Sequence, residues 1–161
     1  MGSETDKPII ITDTREPKFG EPGYYDFSRF DVVSVWADLD VGDFTLGGCD
    51  LDGVPYSRLV MIERKTISDL IGSFTAGRKR FEKMWLRCPA GQYRWLMIEG
   101  NELELMRGIY RSRMHPNSVL ATIASWSMKY QFNVFFTGGP ETGAWWVYWI
   151  LREFQRIHTG G

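Results

Sequence analysis

Two rhythms of apolar residues run along this chain. Short β-branched and aromatic runs at residues 8–13, 32–37, 43–46, 59–64, 94–98 and 133–136 predict strands. Three successive isoleucines, Ile9, Ile10 and Ile11, put the first strand in a position buried on both faces. Helical spacing takes over at 68–74, 78–87, 116–130 and 142–157. In the second of these segments Phe81, Met84, Trp85 and Cys88 recur at i, i+3, i+4 and i+7 and mark a core face. That helix ends at Cys88-Pro89, because the residue before proline is pushed out of the helical region. The third begins with Pro116 in its first position, with Val119, Leu120, Ile123 and Ser127 on one side. Loop chemistry separates these elements: Pro17 to Pro22-Gly23, then a short helical turn within 24–30, and a hairpin with an extended tip over Gly47-Gly48-Cys49-Asp50-Leu51-Asp52-Gly53. Strands followed by alternating strands and helices predict an α/β fold, a central mixed β-sheet flanked by α-helices.

The last helix departs from the usual pattern. Trp145-Trp146-Val147-Tyr148-Trp149-Ile150-Leu151 is apolar around its whole circumference, whereas a surface helix shows only a stripe. One side packs on the sheet. Trp145, Trp146, Tyr148 and Trp149 are assigned to an interface on the other, with a second copy or another protein as cover.

A chain of 161 residues fits one domain, here 8–158, with a disordered tail expected at 1–7 and a short tail at 159–161. Its 43% hydrophobic and 24% charged content is that of a globular protein. The longest apolar stretch, residues 144–151, is too short to span a membrane. The polar, acidic N-terminus is unlike a secretory signal, and two cysteines and two histidines show no zinc spacing. An intracellular setting is expected. The net charge of −1 hides an asymmetry: residues 1–69 carry 7 Lys and Arg against 14 Asp and Glu, and residues 70–161 carry 12 against 6. An acidic half suited to cations sits beside a basic half suited to phosphate.

The chemistry concentrates at two strand ends. Gly42-Asp43 is followed by 19 residues and then Glu63-Arg64-Lys65-x3-Asp69. Two carboxylates on neighbouring strands can hold a hard divalent cation. Strand alternation points Glu63 and Lys65 to one face and Arg64 to the other. Arg64 can offer its backbone carbonyl to the metal. Asp69 falls in a first helical turn capped by Thr66 or Ser68.

Val41-Gly42-Asp43-Phe44 and Ile62-Glu63-Arg64-Lys65-Thr66-Ile67-Ser68-Asp69 resemble the nuclease core of the XPF family of structure-specific DNA endonucleases, whose signature is GD…ERKxxxD. Asp13-Thr14-Arg15-Glu16, Gly77-Arg78 and Leu96-Met97-Ile98-Glu99 resemble further parts of it. The resemblance implies a restriction-endonuclease-like fold and magnesium- or manganese-dependent cleavage of branched DNA. It implies that Asp13 joins Asp43, Glu63, Arg64, Lys65 and Asp69 in the catalytic group, as an auxiliary ligand or an acid behind the ligands. It also implies pairing of nuclease domains. Family members usually carry a tandem helix-hairpin-helix domain after the nuclease, and this chain has no room for one before Gly161. A partner bearing that domain is therefore an alternative to a homodimer.

Residues 78–87 carry Arg78, Lys79, Arg80, Lys83 and Arg87 against one Glu, and Lys79, Lys83 and Arg87 fall on one stripe. These are assigned to DNA phosphates, with Arg111 and Arg113 added from a loop read equally as an arm that clamps the strand or as a plain surface loop. Two other readings stand beside the endonuclease: a non-catalytic DNA-binding scaffold subunit, and a general restriction-like nuclease or junction resolvase.

Overall fold

The computed structural model describes residues 7–89, 91 and 93–159, so the tails expected at 1–7 and 159–161 lie outside the described residues but for Lys7 and Thr159. Six strands build one mixed sheet: β1 (Ile9–Asp13), β2 (Val33–Ala37), β3 (Phe44–Leu46), β4 (Met61–Thr66), β5 (Arg94–Glu99) and β6 (Phe132–Thr137). Their order across the sheet is β2-β1-β3-β4-β5-β6. β3 runs antiparallel to both neighbours, and the other adjacent pairs are parallel. Parallel neighbours need a crossover. Helices α1 (Ile67–Phe74) and α2 (Arg78–Arg87) supply it between β4 and β5, and α3 (Glu102–Met106) and α4 (Pro116–Tyr130) between β5 and β6. A final helix, α5 (Pro140–His158), follows β6.

Strand alternation divides the apolar residues between two cores. Met61, Leu96, Ile98 and Phe132 face α1, α2, α3 and α4, where Leu70, Phe74, Trp85, Leu105 and Trp126 meet them. Ile10, Phe44, Ile62 and Met97 face α5, which contributes Ala144, Val147, Leu151 and Phe154. Arg94 joins layers at the first core's far end. Its guanidinium donates to the carbonyls of Cys88 (2.5 Å) and Tyr130 (2.8 Å), a cation placed at the C-termini of α2 and α4.

Several expectations need correcting. α3 had no counterpart in the sequence reading, being a short helix capped by Asn101. Residues 24–27 form no helix, and only turns and bends follow at 28–30. The buried face of α4 is Val119, Ile123, Trp126 and Tyr130; Ser127 lies off it, because a 3.6-residue period carries the stripe to Trp126. The α5 face also differs. Tyr148 is buried and stacks on Phe30 at 4.5 Å, so it belongs to the chain's own core and not to an exposed interface. The segment 24–30 supplies Tyr25, Phe27 and Phe30 as the cover that periodicity alone assigned to a partner. Trp145, Trp146 and Trp149 remain 45%, 50% and 42% exposed. The hairpin between β3 and β4 has the expected tip: Asp50 accepts from the Asp52 and Val54 amides, and Cys49 bridges to Pro55.

Candidate active site

β1, β3 and β4 converge at one end of the sheet. Gly42 turns into β3 with φ at +80°, a conformation that favours glycine; a Cβ there would also stand 3.1 Å from Met61 Cε. The next residue, Asp43, is held on both sides. Its amide donates to the Ile62 carbonyl, and its own carbonyl accepts from the Asp13 amide, each at 2.9 Å. Its Oδ2 accepts from the Arg64 amide at 2.8 Å. Within a strand, the N–H and C=O of one residue point to the same side. The Arg64 carbonyl is thereby aimed toward Asp43, while the Met61 amide bonds on the β5 side.

Glu63 and Lys65 share a face, as strand alternation requires, and both line a cleft with Asp43. Lys65 Nζ lies 3.3 Å from Glu63 Oε1 and over the Phe81 ring at 5.3 Å. Arg15, Asp40, Gly77, Arg80 and Arg87 also line this cleft. Burial raises the pKa of both catalytic-candidate carboxyls. For Asp43 the charge of Glu63 adds to burial; for Glu63 burial prevails over the opposing pull of Lys65. The pair is thus costly as two anions, and an added cation would relieve that cost. Among the described residues no three His, Cys, Asp or Glu side chains gather into a metal-holding group. The donors in this cleft are two carboxylates and a backbone oxygen, a small hard set that fits an ion completing its shell with water and phosphate oxygens.

Arg64 points away from the cleft. Its guanidinium bonds Glu99 at 2.5 Å and Glu16 at 2.8 Å and lies 4.7 Å from the Tyr25 ring centre. The Tyr25 hydroxyl donates to the same Glu99 carboxylate at 2.5 Å, and its ring stacks on Phe44 at 5.0 Å. Burial and the bond to Glu99 push the Tyr25 pKa upward. This buried cluster therefore touches the neighbours of both Asp43 and Glu63. The sequence reading did not bring these four side chains together, although Glu16, Arg64 and Glu99 each lay within a motif-like stretch.

The other expected residues fall elsewhere. Each oxygen of Asp13 accepts two hydrogen bonds, Oδ1 from the Arg15 amide and Nε, Oδ2 from the Leu39 amide and Arg15 Nη2. Burial opposes its ionisation, but these donors prevail and hold its carboxyl below the usual range. It does not line the cleft, and its oxygens are committed to joining the ends of β1 and β2, so it is not placed as a metal ligand. Asp69 is exposed in the first turn of α1, where its amide donates to Thr66 Oγ1 at 3.1 Å; it too stands outside the cleft lining.

The ERCC4 domain family matches residues 12–149. The chain belongs to that family. Among solved structures, the ERCC4 domain described here resembles XPF from Aeropyrum pernix, with a TM-score of 0.69 and 22% identity over 92% of this chain and 66% of that one. It resembles the same protein in complex with DNA equally, at 0.69 and 21% identity over 94% and 66%. The chain thus spans just under two thirds of those structures' length, and at this identity the likeness is one of fold: an α/β, restriction-endonuclease-like fold. No curated protein matches the chain.

The expected phosphate contacts of the ERCC4 domain divide by position. Arg80 and Arg87 line the cleft. Lys79 and Lys83 are exposed on α2 beyond it, and Arg78 lies over the Trp126 ring at 5.1 Å. Arg111 and Arg113 are exposed in the loop before α4, away from the cleft lining. Arg15 is a further cation of the cleft; it is paired with Asp13 while remaining largely exposed.

Proposed function

We propose that this ERCC4 domain is a metal-dependent endonuclease that hydrolyses phosphodiester bonds in branched DNA. The observation that carries the reading is the pairing of Asp43 and Glu63 from adjacent strands in a cleft that also holds Lys65, Arg15, Arg80 and Arg87, with Asp40 as its further acid. Asp43, Glu63 and the Arg64 carbonyl would hold magnesium or manganese, which when bound supplies an acidified water and charge stabilisation at the phosphate. Lys65 sets an ammonium beside the same centre and neutralises charge that develops on the phosphate oxygens. Arg80 and Arg87 attract the DNA backbone and orient it toward the carboxylates. Asp13 serves by holding Arg15 and the loop at Leu39, and Asp69 by favouring the start of α1. The likeness to a fold solved with DNA supports a DNA substrate.

No helix among the described residues is long and apolar enough to cross a membrane, and a DNA substrate implies an intracellular site of action. Trp145, Trp146 and Trp149 form the face for a second copy of the chain or for a partner bearing a helix-hairpin-helix domain.

Labelled flap, fork, four-way junction and linear duplex DNA, each titrated with Mg²⁺, test the reading. The wild type should cut branched substrates, and Glu63→Gln should lose on the order of 10³-fold in rate while its DNA affinity stays within a few-fold. Undiminished cleavage by Glu63→Gln rejects the assignment. Binding of branched DNA by the wild type without metal-dependent cutting would identify a scaffold subunit.

A further inference from the structure

A second groove opens beside the catalytic cleft. Asp40, Val41 and Arg87 line both, and beyond them the new walls are Thr45, Ser57 and Arg58. The topology explains why it is open. The core beneath α1, α2, α3 and α4 includes strand residues from β4, β5 and β6 and none from β1, β2 or β3. On that face the sheet beyond β4 is therefore uncovered, and Ile9, Val33 and Val35 are 37%, 46% and 39% exposed.

The arginines differ in their partners. Arg15, Arg29, Arg64 and Arg156 pair with carboxylates, Arg94 with backbone carbonyls, and Arg152 with Tyr148. The side chains of Arg58, Arg78, Arg80, Arg87, Arg107, Arg111 and Arg113 make no hydrogen bond or ion pair among the described residues. Three of these, Arg58, Arg80 and Arg87, stand on the walls of the two joined clefts. Arg80 and Arg87 are seven residues apart on α2, about 10 Å along its axis. That distance spans about three nucleotides at the duplex rise of roughly 3.4 Å. Arg58 shares the second groove with Arg87 from the β3–β4 hairpin, at the end of its 3-10 turn Tyr56–Arg58. Two acids also border the groove. Asp38 accepts from the Thr14 hydroxyl, and Asp40 stands where the clefts meet. An approaching phosphate is therefore favoured along the Arg58 and Arg87 wall.

We propose that this second groove is a subsite for the sugar–phosphate backbone of the DNA strand leaving the catalytic cleft, gripped by Arg58 together with Arg87. The inference rests on the nuclease reading for the direction of the strand. It makes the β3–β4 hairpin a substrate-positioning element, with Arg58 acting on binding and register and not on the chemical step.

The test compares the full chain with Arg58→Ala and Arg58→Glu. Arg58 is exposed and unpaired, so both variants should fold as the wild type does. A fluorescein-labelled DNA fork is bound in EDTA at 50 and 200 mM salt and followed by anisotropy. One lost phosphate contact lowers the salt slope by about 0.9, so the fold-loss of affinity between the two salts should shrink about 3.5-fold in Arg58→Ala. Arg58→Glu should bind about 10-fold more weakly at the lower salt. Cleavage of forks shortened on one side of the cut should then show the variant defect shrinking only when the arm that fills the groove is removed. A wild-type Kd and salt slope for Arg58→Glu would overturn the proposal, as would a defect of equal size on every shortened fork. A wild type that cuts no DNA would overturn the nuclease reading alone, since the anisotropy comparison judges the groove independently.

Discussion

Gly143 offers the sharpest test of how the helix layer holds the site. In an exposed helix interior, alanine is favoured over glycine by about 1 kcal/mol, so Gly143→Ala should stabilise α5 on propensity alone. Packing reverses that sign. A Cβ at this position would lie 2.6 Å from Tyr25 Cζ and 2.9 Å from its Cε2, and closer still to its hydroxyl oxygen. Tyr25 has little room to retreat, being buried, stacked on Phe44, bonded to Glu99 and covered by Arg64. Overpacking of this kind costs about 1–3 kcal/mol, and losing a hydrogen bond to a charged group about 1.5–3 kcal/mol. Set against the propensity gain, the net destabilisation is about 3 kcal/mol. For a chain of this size that lowers Tm by about 6–12 °C, read by scanning calorimetry. Adding Tyr25→Phe removes the nearest atom, so the double variant should lose less than the sum of the two single changes. A Tm for Gly143→Ala at or above that of the wild type would refute the packing argument.

Other consequences follow from the site. Asp43 and Glu63 have folded-state pKa values above the ordinary range, so the metal-free fold is favoured when they are protonated, and that stability is lost as pH rises through the raised values. In EDTA, Asp43→Asn should therefore gain in Tm over the wild type as pH rises from about 4 toward 8, and a constant difference across that range would contradict the sign. Manganese at 100 times its Kd should stabilise the wild type by about 2.7 kcal/mol, an upward shift of about 5–11 °C; Glu63→Gln should show little of it, and an equal shift in both would remove Glu63 from the ligands. Trp146→Asp and Trp149→Asp should weaken self-association in sedimentation velocity, and a wild type that stays monomeric at high concentration would exclude the second-copy form of the interface.

What could be read in the sequence was local. Alternation along a strand is a property of the backbone, so Glu63 and Lys65 had to share a face, and both line the cleft. The α2 core face of Phe81, Met84, Trp85 and Cys88, of which Met84 is only partly buried, followed from helical periodicity for the same reason. The Glu-Arg-Lys signature pointed to the family that the match over residues 12–149 shows. Contacts between distant segments were beyond such rules. That Arg64 turns its charge to Glu16 and Glu99, that Asp13 is saturated by Arg15 and Leu39, and that Tyr148 is covered by Phe30 depend on which strands lie side by side. Neighbours along the chain share a periodicity set by φ and ψ. Neighbours in space are chosen by topology, and here the order β2-β1-β3-β4-β5-β6 brought three strand ends together and left one side of the sheet open beside them.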